Sequence, residues 1–250
     1  MTLDWLVLAV AVPAVMIAGL SKGGFGGAGA FAATPILALV LDPALALGLM
    51  LPLLMVMDVA ALKAYWRGWH GPSTRALLIG GLPGVALGAL LFRQADPDLL
   101  RLLIGAVAVA FVAFQMLRGA GWLRLRPAAF SPRRGAVAGC AAGLASFVSH
   151  AGGPPVLMFL LPQGLHKTVF QATTVVFFWA INIAKVLPYA VLGFFTVQTA
   201  ALSLALVPVA ILGVWLGVRA HRAVPERLFF ALTHALLLAV GLRLIWVALG

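Results

Sequence analysis

The chain has 250 residues, 64% of them hydrophobic and 9% charged, with a formal net charge of +11. Water-soluble domains carry about 25% charged residues, so this composition excludes a polar surface all round and specifies an all-α polytopic membrane protein. The basic excess lies between apolar runs, where it sets topology and not a nucleic-acid footprint, and the lone Cys140 excludes an intramolecular disulfide or a cysteine metal cluster.

Apolar segments run over 4–20, 25–41, 43–62, 74–93 and 97–118, then over 134–149, 153–162, 168–193, 199–220 and 226–248. A straight crossing needs about 20 apolar residues. The last three segments of each set meet that length; the first two of each are short and either span in part or re-enter, giving 8–10 membrane helices. The opening Met1-Thr2-Leu3-Asp4-Trp5 lacks a basic lead and suits a first membrane helix better than a signal peptide.

The short segments meet at two glycine motifs. The first is Gly19-Leu20-Ser21-Lys22-Gly23-Gly24-Phe25-Gly26-Gly27; the second, Gly143-Leu144-Ala145-Ser146-Phe147-Val148-Ser149-His150-Ala151-Gly152-Gly153-Pro154-Pro155, is an altered copy. Glycine density of this kind predicts broken helices, whose free backbone groups are tolerated at membrane depth only where they line a cavity.

The two sets read as repeats. Gly19 aligns with Gly143, Asp58 with Asn182, Pro83-x4-Gly88 with Pro208-x4-Gly213, and Asp96-Pro97-Asp98 with Val224-Pro225-Glu226. The organisation is a first membrane repeat at 1–118, a basic cytoplasmic linker at 119–134 and a second repeat at 135–250. Lys63, Arg67 and Arg75, the arginines of 118–134, and Arg219, Arg222 and Arg227 mark cytoplasmic loops, whereas 194–199 carries no charge. Both termini then lie outside the cytoplasm, and the repeats have inverted topology, each with about five hydrophobic segments.

Several polar residues fall inside this apolar sequence, where they mark function by default. Lys22 at the first break, with Gly23, Gly24, Gly26 and Gly27 as backbone donors, favours an anion; the alternatives are a snorkelling lysine and glycines used for helix packing. His150, Gly152 and Gly153 occupy the second break. In the eighth segment Gln171, Thr174, Phe178, Asn182, Lys185 and Tyr189 share one helical face. Thr174, Asn182, Lys185 and Tyr189 are taken as substrate contacts on that face. Asp58 is the only acid well inside a segment; it is either a proton carrier, as His150 could also be, or the ion-pair partner of Lys22 or Lys185.

Gly-x-x-Lys-Gly-Gly-Phe-Gly-Gly at 19–27, His150-Ala-Gly-Gly-Pro-Pro155 and Asn182-x-x-Lys185-x-x-Pro-Tyr189 resemble the sulfite exporter TauE/SafE family over nearly the whole chain. The resemblance implies a membrane permease for sulfite, sulfonates or related sulfur-containing anions. The second motif departs from a glycine-rich copy at Ser149-His150 and Pro154-Pro155. The expectation is a secondary transporter in the cell (inner) membrane, not an enzyme. It would bind a small anion at the midplane between the repeats, with protons as a candidate coupling ion, no cofactor or metal, no nucleic acid and room for an oligomer. The alternative is an ion channel, or a carrier of another solute, with the glycine breaks as filter.

Overall fold

The computed structural model describes residues 5–24, 30–93, 96–122, 127–220 and 226–250. The expected sites Gly26 and Gly27 lie outside these residues. Among them the chain is helical without strands, and its helices follow the hydropathy closely. They are α1 (Trp5–Gly24), α2 (Ala33–Leu37), α3 (Pro43–Tyr65), α4 (Gly71–Phe92), α5 (Pro97–Gly119), α6 (Pro132–Ser149), α7 (Gly153–Leu160), α8 (Lys167–Val191), α9 (Val197–Ala220) and α10 (Glu226–Leu249). Six of them, α1, α3, α4, α5, α8 and α9, are long and apolar enough to cross a bilayer; α2 and α7 are far too short.

The polar residues at the helix starts serve as caps. Asp42 accepts from the Ala44 amide at 2.9 Å and Asp96 from the Leu99 amide at 2.7 Å, each just before a proline at the first helical position. These caps satisfy amides that lipid could not.

Glycines fix how the helices pair. A Cβ on Gly23 would lie 2.1 Å from the Val214 carbonyl oxygen, and one on Gly217 would lie 2.3 Å from that of Leu20. One on Gly84 would lie 2.2 Å from the Cys140 carbonyl oxygen, and one on Gly143 equally close to that of Gly81. Small residues thus let α1 lie backbone-to-backbone on α9, and α4 on α6. The expected break at Gly19–Gly24 is not where the helix ends: α1 runs on through Lys22 to Gly24. Intrahelical bonding satisfies these amides, and Gly19 and Gly23 are used against α9.

The residue order at these contacts gives direction. Met16 meets Gly213 and Leu20 meets Gly217, so α1 and α9 run parallel; Leu77 meets Gly139 and Gly81 meets Gly143, so α4 and α6 do too. Gly105 meets Ile245 while Gly241 meets Val109, which makes α5 and α10 antiparallel. Asp58 meets Asn182 while His70, past the end of α3, donates its amide to Thr173 near the start of α8 (2.9 Å), so α3 and α8 are antiparallel as well.

One end of the bundle gathers the 66–73 turn, residues 127–134 and the α7–α8 turn. Ser73 donates to Gln163 at 2.9 Å, and Phe130 stacks edge-on with His70 and Phe159. Lys63, Arg67, Arg75, Arg118, Arg133, Arg134 and Arg219 all lie toward this end. Phe92 and Phe194 meet at the other (5.9 Å).

Candidate functional site

A cavity of about 50 Å³ lies between α1, α3, α6 and α8. A single water needs about 10–15 Å³ on this scale, so the space suits a few waters or one small ion. Lys22, Asp58, Ser146, His150, Gly153, Gln171, Thr174 and Asn182 supply its polar lining; Phe31, Leu54, Val156 and Phe178 are among its apolar walls.

The lining is built from helix interiors and helix ends. Lys22, in the last turn of α1, ion-pairs with Asp58 Oδ1 and lies 3.5 Å from the Leu54 carbonyl. Asp58 is 1% exposed, and its other oxygen accepts from Asn182 Nδ2 at 2.6 Å. Of the two partners open for Asp58, the structure selects Lys22.

Lys185, which is 0% exposed, does not line the cavity. It stands behind the wall and donates to the Ser146 carbonyl (3.1 Å), Ser146 Oγ (3.0 Å) and His150 Nδ1 (2.7 Å). His150 Nε2 in turn lies 3.3 Å from the Leu47 carbonyl. Lys185 therefore fixes the imidazole and the end of α6 together. His150 caps α6 in the left-handed conformation (φ +57°). An L-residue holds that conformation at a cost of about 1–2 kcal/mol, so a side chain other than glycine there is retained against local strain.

The polar stripe of α8 is continuous, and its parts differ in depth. Gln171, Thr174, Phe178 and Asn182 face the cavity. The Thr174 hydroxyl donates back to the Phe170 carbonyl at 3.0 Å. Tyr189, also fully buried, lies beyond the cavity and donates to the Phe147 carbonyl at 2.6 Å, closing the end of α6. Gly153 lines the cavity; Gly152 caps α7 against α6, where a Cβ would lie 2.5 Å from the Ala142 carbonyl oxygen. Gly23 packs on α9, and Gly24 ends α1.

Ser146 was not among the expected site residues. Its signal was present, since it lies one turn before His150 on the same face of an apolar helix. Lys63, five residues beyond Asp58, is exposed and plays no part in the cluster.

Long apolar helices around a buried, charged cavity define a multi-pass α-helical membrane protein with a polar site in its interior. The family model for the sulfite exporter TauE/SafE family matches residues 11–244, and the chain belongs to that family. Neither the comparison with curated proteins nor that with solved structures gives a match.

Proposed function

We propose that the protein is a secondary transporter of a small sulfur-containing oxyanion (sulfite, a sulfonate or a related organosulfur anion) and that the cavity beside Lys22 and His150 is its binding site. One observation carries the anion reading. Among the described residues, the buried cluster holds two lysines, Lys22 and Lys185, and one carboxylate, Asp58. With both lysines as ammonium ions one positive charge is uncompensated, and a buried charge calls for a partner. A monoanion in the cavity completes the balance. Lys22, Asn182, Gln171 and Thr174 supply donors suited to oxyanion oxygens. Tyr189, Gly152 and Gly23 support the site through packing.

Asp58 then acts as a proton-operated latch. When ionised it occupies Lys22. A proton arriving from water onto its carboxylate leaves the ammonium free to donate to a substrate oxygen, and the site holds two negative charges instead of one. Proton and anion load together.

The helix directions support an inverted repeat. Equivalent helices α3/α8 and α5/α10 are antiparallel, and α1 lies on α9 as α6 lies on α4, the exchange a pseudo-twofold axis in the membrane plane would produce. On this reading the basic end faces the cytoplasm of an inner membrane, and both termini lie outside.

Proteoliposomes loaded with labelled sulfite, methanesulfonate or sulfoacetate test the proposal. Saturable flux with counter-transport is expected, weakened by Lys22→Gln and by Lys185→Met. Wild-type vesicles that move none of these anions refute it, as does flux untouched by both substitutions.

A further inference from the structure

A second cavity lies at the basic end, outside the helix bundle and unconnected with transport as described above. It is a groove of about 530 Å³ walled by the start of α6, by α7 and by the linker strand at Ala128–Ala129. Its walls are held in place: the Ala128 amide donates to the Pro162 carbonyl at 2.9 Å, tying the linker to the end of α7. The groove exists because α7 spans only Gly153–Leu160, which leaves the outer face of α6 uncovered along its first turns.

The lining changes character with depth. At the mouth stand Arg133 and Arg134, both exposed, with no acidic partner among the described residues. One turn further in is Val137, 72% exposed, and a turn beyond it Ala141, whose methyl leaves the slot open; Met158 forms the facing wall. From Arg134 to Ala141 the slot runs about 10 Å along the helix axis. Trp122 (82% exposed) and Phe130 (38%) lie at the level of the arginines, where aromatic side chains mark the membrane–water boundary.

We propose that this groove binds one anionic phospholipid, its phosphate between Arg133 and Arg134 and an acyl chain along Val137 and Ala141. Two cations at the headgroup level above an apolar slot at acyl depth match that amphiphile. A free phosphate would leave the slot unused, and a zwitterionic lipid would leave the arginines without a net countercharge. Basic pockets on the cytoplasmic side are a recurrent solution for anionic headgroups, each arginine contributing on the order of 1 kcal/mol, or about fivefold in affinity. The bound lipid would brace the linker, α6 and α7 against one another at the membrane surface.

Native mass spectrometry of the full-length protein in neutral detergent tests this, using phosphatidylglycerol and phosphatidylcholine of identical acyl chains. Wild type is expected to retain phosphatidylglycerol about 25-fold more tightly, two arginines at about fivefold each. R133Q/R134Q, on an exposed helix turn, should abolish the preference while keeping monodisperse elution. Ala141→Trp, which fills the slot, should loosen both lipids alike. Equal retention of the two lipids by wild type would overturn the proposal. So would an unchanged preference in R133Q/R134Q, or displacement of bound lipid by glycerol phosphate alone at lipid-equivalent concentrations.

Discussion

Replacing Asp58 by asparagine is the most informative perturbation, because it keeps the shape of the side chain while removing the only carboxylate of the buried cluster. The amide of D58N can still accept from Asn182 or from Lys22 through its one oxygen, whereas the Asp58 carboxylate serves both. Removing one member of a buried ion pair costs about 3–5 kcal/mol. The Lys22 side chain is 11% exposed toward the cavity, which places the loss at the lower end, about 3 kcal/mol. Anion binding should restore most of it, since a ligand at 100 times its Kd returns about 2.7 kcal/mol.

The transport consequence is sharper. A carboxylate about 5 Å from a bound anion repels each unit of its charge by about 3 kcal/mol at an effective dielectric of about 20. D58N should therefore favour sulfoacetate, a dianion, over methanesulfonate, a monoanion, by at least about tenfold relative to wild type. Wild-type methanesulfonate affinity should rise as pH falls, by at most about tenfold per unit for one linked proton; in D58N that dependence should vanish. Methanesulfonate keeps one charge across this range, so the slope reports the protein. Flux in proteoliposomes between mildly acidic and mildly alkaline pH measures both effects. A pH slope that survives in D58N refutes the latch while leaving the anion site standing.

Gly23→Ala should force α1 off the Val214 carbonyl, since the added Cβ would sit 2.1 Å from it. Overpacking of this kind costs about 1–3 kcal/mol, and a lowered unfolding temperature in detergent, with unchanged preference among anions, is the expected outcome. His150→Gly removes the left-handed strain together with the imidazole. Stability should shift by no more than about 1–2 kcal/mol, while anion affinity falls roughly tenfold for one lost polar contact of about 1.5 kcal/mol; flux equal to wild type would exclude the imidazole from the site. Tyr189→Phe deletes a single buried hydrogen bond to the Phe147 carbonyl. A loss of about 1–3 kcal/mol in stability is expected, with the relative Km values for different anions retained, as thermal unfolding and competition assays would show.

The properties legible in the sequence are those that one-dimensional signals carry. Hydropathy contrast placed the helix ends within a few residues, and the 3.6-residue period put Gln171, Thr174, Phe178 and Asn182 on the face that lines the cavity. Period gives an angle around a helix and not a depth along it. That is why Lys185 and Tyr189, on the same stripe, belong to the layer that holds α6 and not to the cavity wall. Glycine density likewise indicates close backbone approach without saying what approaches. For Gly19 and Gly23 it is α9, far later in the chain, so a helix-packing role and a ligand loop look alike until the partner is known. The choice of Lys22 over Lys185 for Asp58 was closed to sequence for the same reason.

The pair Asp58–Asn182 shows how duplication and divergence divide the labour on the inverted-repeat reading. Equivalent positions of two inverted halves meet where they approach the shared axis, so repetition alone accounts for their 2.6 Å contact. It does not account for their chemistry. Two aspartates there would set like charges against each other in a buried site, and two asparagines would leave Lys22 without a carboxylate. One acid and one amide give a single titratable group, held from one side by a neutral donor and from the other by a lysine. Only this asymmetric pair lets one proton change the charge that the cavity accepts, so the divergence of the second half at this position is what the proposed coupling requires.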